Sequence, residues 1–164
     1  MLPTSGGVDL GGFSGNKHDS GYWLKILYAT DERMTARHWR RRMWINDRHT
    51  APRADGTPGR KPSYKVGEHL VVYVSRGPRQ ACPAVMRVAE RPVFDPDLVE
   101  REVNPEDAAL WGWMTWVDPV ASIGLDRAPT LSEIGLSSQS VRRHGHIRLS
   151  RGQYRRALRA IRGS

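Results

Sequence analysis

The sequence predicts an α+β domain, a small and strongly bent β-barrel of five to six strands flanked by short helices. Three observations carry this. The apolar runs read in the order strand, helix, hairpin, strand, strand, helix. A hairpin is signalled where His69–Ser75 and Ala81–Glu90, both rich in aliphatic residues, flank the breaker Arg76-Gly77-Pro78. The chain closes on a capped amphipathic helix, with Ser150 and Gln153 as a capping box ahead of Tyr154, Leu158 and Ile161.

Residues 1–20 are rich in Gly and Ser without apolar period and read as a flexible tail, leaving residues 21–164 as one domain. Tyr22–Tyr28 (YWLKILY) is aromatic and aliphatic enough for a central first strand. Asp31 can cap a helix through about Trp44, with Trp39 and Met43 four apart and arginines on its other faces. Residues 49–64 carry Pro52, Gly56, Pro58, Gly59 and Pro62, a loop long enough to suggest function. Pro83 stands near the start of its strand, where a missing donor is tolerated. Asn104-Pro105-Glu106-Asp107 reads as a helix start, and Thr130 with Glu133 as another capping box. Strands are expected at Trp111–Val120 and about His144–Leu149.

The net charge of +9 and pI near 10.4 point to a polyanionic partner. Lysine occurs only at 17, 25, 61 and 65, so the excess is arginine, whose fork suits phosphate and stacks on bases. Residues 33–61 hold nine basic residues against Asp47 and Asp55, and residues 141–164 hold eight arginines and no acid. Between them, residues 90–107 hold seven acids against Arg91 and Arg101. The two basic ends are expected to join in the fold, the alternative being two solvated faces. No run of about 18 apolar residues and no signal peptide is present, so a cytoplasmic protein without membrane contact is expected.

Catalytic signals are weak. Cys82 is the only cysteine, sits beside Pro83 in a predicted strand, and reads as core. His144 and His146 share a strand face without a third ligand in range, so no metal or other cofactor is expected. No Gly-rich phosphate loop is present. In WGWMTWVDPV, strand alternation puts Trp111 and Trp113 on one face and Trp116 with Met114 on the other. The rings serve either entirely as core or as core on one face and a base- or cation-binding pocket on the other.

These residues resemble the EVE domain of the PUA-like superfamily, which also contains the YTH and ASCH domains. The resemblance lies in the YWLKILY strand, Val66-Gly67-Glu68 leading into HLVVYVS, and ACPAVMRVAERPVFDP. It continues through Trp116–Val120, APTLSEIGL and RHGHIRLS, covering about residues 21–161. It implies a PUA-like barrel whose pocket takes a flipped-out or single-stranded modified base, modified cytosine in DNA for EVE domains and methylated adenine for YTH domains. Carried over by position, it implies a cage of Trp44, Trp111 and Trp113 with Tyr28 and Ile45 beside it, and Asn46 and Ser75 at the base edge. Phosphates would fall to Arg40, Arg41, Arg42, Arg48, Arg142, Arg143 and Arg148. The expected protein is a monomeric, non-catalytic reader with DNA favoured over RNA, and any cleavage would come from a nuclease or restriction partner. An RNA reader and an ASCH-like hydrolase of modified nucleosides are the alternatives; the hydrolase would need a lysine, glutamate or threonine poised in the pocket, whereas Lys25 is mid-strand and Glu32 stands at a helix start.

Stacking on aromatic rings contributes about 1–3 kcal/mol per base, and extruding a duplex base costs a few kcal/mol. The two nearly cancel. Net affinity must then come from phosphate contacts, and binding should be salt-sensitive.

Overall fold

The computed structural model describes residues 21–27, 35–46, 54, 59–95, 97–98, 101, 112–142 and 144–163. Among these residues, seven strands form one mixed sheet: β1 (Tyr22–Leu27), β2 (Met43–Asn46), β3 (His69–Val74), β4 (Ala81–Val88), β5 (Val93–Phe94), β6 (Trp113–Ser122) and β7 (His146–Leu149). Their spatial order is β2-β6-β4-β3-β1-β7, with β5 added to β6. The α+β class stands as expected. Among the described residues the ladder does not close, and β2 and β7 are its two ends.

The predicted hairpin is β3–β4, antiparallel and bulged between Val72 and Val74, turning where Gly77 takes φ 111°. Gly67 (φ 87°) plays the same part in the turn before β3, where Glu68 N donates to Lys65 O. β1 is interior to the sheet, parallel to β3 and antiparallel to β7. Ser150 and Gln153 cap the C-terminal helix α1 (Arg151–Arg162) reciprocally, Gln153 N to Ser150 Oγ at 3.1 Å and Ser150 N to Gln153 Oε1 at 2.9 Å.

One expected helix is corrected. His38–Arg40 makes a single 3-10 turn, and Met43–Asn46 is strand β2, paired antiparallel to β6. The spacing of Trp39 and Met43 resembles a helical stripe. Both reach the same core from a turn followed by a strand, in which Met43 and Ile45 alternate inward. Cross-strand pairing with β6 outweighs the local preference. The element after Thr130 is also a 3-10 turn, Ser132–Ile134, with the Glu133 carboxylate accepting from both Thr130 N and Thr130 Oγ1. The expected tail at 1–20 and the helix start at 104–107 lie outside the described residues.

The sheet buries both faces. Trp23, Leu27, Leu70, Val72, Ala84, Met86, Val88, Val117 and Ile45 cluster on one, the inner face, with Trp39 and Tyr64 laid over them. Leu24, Val71, Tyr73, Cys82 and Val85 cluster on the other, under Tyr154, Ala157 and Ile161 of α1. Each fully buried aliphatic side chain there contributes about 1.5–3 kcal/mol. No helix among the described residues is long and apolar enough to cross a membrane.

Candidate nucleic-acid interface

β2 pairs Trp44 with Trp116 and Ile45 with Thr115, and directly paired residues share a sheet face. Trp44 and Trp116 are therefore neighbours on the helix face, beyond the reach of α1. Trp113 is an odd number of residues from Trp116 and falls on the inner face, with Thr115 and Val117. The two described members of the expected cage, Trp44 and Trp113, stand on opposite faces of the sheet. The third, Trp111, lies outside the described residues, as do Tyr28, Arg48 and Arg143.

Each ring has a neighbour of its own. Trp113 Nε1 donates to Gly59 O at 3.0 Å, and its ring meets Phe94 edge-on at 5.6 Å. Trp116 has the Arg42 guanidinium 5.8 Å from its ring centroid. That guanidinium also pairs with Glu90 and lies 3.9 Å from Asp118, so Arg42 is already engaged by carboxylates. Ile45 is buried in the inner core. Asn46 ends β2, its backbone registered with Met114.

Ser75 lies elsewhere. Its N–H and its Oγ both donate to Leu27 O, at 2.9 and 3.1 Å, fastening the ends of β1 and β3. That end of the sheet is also where β6 finishes at Ser122, nine residues or about 30 Å of extended strand from Trp113. Ser75 and Trp113 do not line one pocket.

The same end carries a basic cleft. Ser122 Oγ donates to Ala36 O at 3.2 Å and anchors the turn that precedes β2. Beside it is a cleft of about 490 Å³, lined among the described residues by Thr35, Arg37, His38, Arg40 and Arg41. Buried Trp39, edge-on to His38 at 4.7 Å, pins the turn to the core and leaves Arg37, Arg40 and Arg41 exposed. The volume is that of a small-ligand site, and the lining suits an anion. Arg142 is exposed just after a 3-10 turn, and Arg148 is held 4.6 Å over the Trp23 ring.

Sequence reasoning missed the segment 59–64 as a strap over the inner face. Gly59 O takes the Trp113 bond from β6, and Ser63 N donates to His146 Nε2 of β7 at 3.3 Å. Directly after the second anchor, Tyr64 is buried edge-on against Trp23 and His146. The density of glycine and proline marked the loop, but nothing local named its anchors. Lys25 was also missed as a buried group. It is 1% exposed on the inner face, with Nζ 3.5 Å from Gly145 O.

No family model and no curated protein matches the chain. Solved structures do. A hypothetical protein from Leishmania major is similar with TM-score 0.59 at 15% identity, over 88% of this chain and 96% of that one. The ASCH protein of Zymomonas mobilis is similar with TM-score 0.53 at 13% identity, over 85% of this chain and 95% of that one. Human THYN1, in complex with DNA containing 5-methylcytosine, is similar with TM-score 0.49 at 14% identity, over 83% and 94%. The fold of this chain is thus the α+β, PUA-like fold, built among the described residues on an open mixed sheet of seven strands with a C-terminal helix.

Proposed function

We propose that this chain is a non-catalytic reader that binds a nucleic-acid strand, DNA in preference to RNA, and accepts a modified base, with modified cytosine as the first ligand to test. The observation that carries the reading is the cleft at Thr35–Arg41, where three arginines and a histidine line about 490 Å³. The same run of chain continues, four residues after Arg40, to Trp44 beside Trp116. Cations for phosphate and rings for stacking are thus carried on one turn and the strand that leaves it. The base contacts are assigned to Trp44 and Trp116 rather than to one cage shared by Trp44 and Trp113.

The test is a titration of short DNA and RNA strands, unmodified or carrying modified cytosine or adenine, at two salt concentrations. Arg40→Gln with Arg41→Gln should weaken every strand alike and flatten the salt dependence, as phosphate contacts do. Trp44→Ala should cost about 1–3 kcal/mol and remove the preference for one base. Binding untouched by Trp44→Ala would return that ring to a packing role.

A second reading has one observation in its favour. Lys25 is a buried lysine on the inner face, the type of group that a hydrolase of modified nucleosides would use. Product formation from a modified nucleoside, lost in Lys25→Met with the fold intact, would move the protein to that class.

A further inference from the structure

We infer that the exposed stripe of α1, formed by Arg151, Arg155, Arg159 and Arg162, is a second phosphate-binding surface that holds nucleic-acid backbone away from the base site. The inference rests on the nucleic-acid reading above. At 3.6 residues per turn these four arginines fall within an arc of about 80°. All four are exposed, and none forms an ion pair with a described residue. The fifth arginine, Arg156, lies on the other flank beside Gly135.

Arg159 and Arg162 stand in the last turn, where the helix dipole favours cations, but the N-terminal half of the stripe works against its own helix. The first turn contains no acid, and Arg151 opens it with a positive charge where the helix dipole favours a negative one. The pairs Arg151–Arg155 and Arg155–Arg159 are like charges at i, i+4, each costing a few tenths of a kcal/mol. Helix stability therefore does not account for Arg151 and Arg155 or for the unbroken row, whereas a polyanion laid along it does. Arginines four apart rise about 6 Å along the axis, close to two 3.4 Å steps of a nucleic-acid strand.

The surroundings decide among polyanions. A membrane-bound amphipathic helix needs a free apolar face, and here Tyr154, Ala157 and Ile161 are buried against the sheet. An acidic protein partner needs aromatic or aliphatic anchors to desolvate. The exposed large hydrophobics among the described residues are Val66 and Val93, neither of them on α1. A phosphate backbone needs only the cations.

The stripe also lies on the helix face, the face that carries Trp44 and Trp116. One row of directly paired residues crosses it from Leu149 through Tyr22, His69 and Arg87 to Asp118, with Arg42 beyond. Tyr154 of α1 stacks on Tyr22 at 4.2 Å over that row. A strand stacked at Trp44 can therefore continue toward α1 without passing round the sheet.

The experiment measures log K against log salt for one oligonucleotide, with and without the modified base, for the native chain and for Arg151→Gln/Arg155→Gln/Arg159→Gln. Thermal unfolding confirms that the variant folds. The expected result is a slope smaller by about two to three units, at about 0.7–0.9 per phosphate contact, with the ratio of modified to unmodified binding unchanged. A native-like slope in the variant overturns the inference while leaving the base site standing. Equal competition by polyglutamate of matched charge overturns it in favour of a protein-docking surface. Failure of the native chain to bind any oligonucleotide overturns both this and the reading beneath it.

Discussion

Trp23 Nε1 donates a 2.7 Å hydrogen bond to Oε2 of Glu68, 45 residues away. The same carboxylate accepts from Lys65 N at 2.8 Å and from Gly21 N at 3.2 Å. One side chain thus ties the start of β1, the turn before β3 and the indole that Arg148 covers. A Cβ at Gly21 would run into Glu68 Oε1, so the absence of a side chain there is part of the arrangement.

Replacing this carboxylate should show in stability. Glu68→Ala leaves three donors without their acceptor, at about 1–3 kcal/mol for each that stays buried, and partial exposure lets water serve some of them. We expect a loss of about 2–4 kcal/mol in urea unfolding, with Glu68→Gln intermediate because one oxygen remains. A loss under about 0.5 kcal/mol for Glu68→Ala would mean that the three bonds do not hold these segments together.

His69 gives the fold a pH dependence of known sign. Burial, with the Arg87 charge as the lesser cause, lowers its pKa below the usual value of 6.5. Its Nδ1 is hydrogen-bonded to Tyr154 Oη of α1. The unfolded chain protonates this ring first as pH falls and so binds more protons, which means that stability rises with pH through this window. The His69 contribution is present above about pH 6.5 and is lost as pH falls from there toward the lowered folded pKa. Thermal midpoints at pH 8 and pH 5 should therefore differ less in His69→Gln than in the native chain. An equal difference in both would assign the effect to another group.

What the sequence made legible follows the reach of its signals. The β3–β4 hairpin and the Ser150–Gln153 cap are set by residues within a few positions of each other, and both stand as expected. Met43–Asn46 was misread because two apolar residues four apart satisfy a helix, and equally a turn leading into a strand. Only the ladder with β6 distinguishes the two. The site suffered more. Which ring faces which depends on register between strands some 70 residues apart, and Trp44 opposite Trp116 has no local signature. The Gly59–Trp113 and Ser63–His146 anchors are invisible for the same reason.

Cys82 should be chemically silent. It is fully buried beneath α1, and burial pushes its thiol pKa far above the ordinary range. An aromatic disulfide reagent at pH 8 should titrate about no thiol in the folded protein and one per chain in denaturant. Rapid reaction without denaturant would show that α1 opens from the sheet on the timescale of the assay, and would also count against a rigid arginine stripe.

Thr115 offers a substitution that should stabilise. Its Oγ1 is buried on the inner face with no hydrogen-bond partner among the described residues, opposite Ile45 on β2. An unpaired buried hydroxyl costs about 1–3 kcal/mol, and valine has nearly the same shape without the polar atom. Thr115→Val should therefore raise stability by about 1 kcal/mol, in strand geometry that favours valine. Oligonucleotide affinity measured alongside gives the second half of the answer. Unchanged affinity leaves Thr115 as core, consistent with recognition on the helix face and in the Thr35–Arg41 cleft. A stabilised variant that no longer distinguishes the modified base would place the base on the inner face, at Thr115 and Trp113, and would overturn the assignment to Trp44 and Trp116.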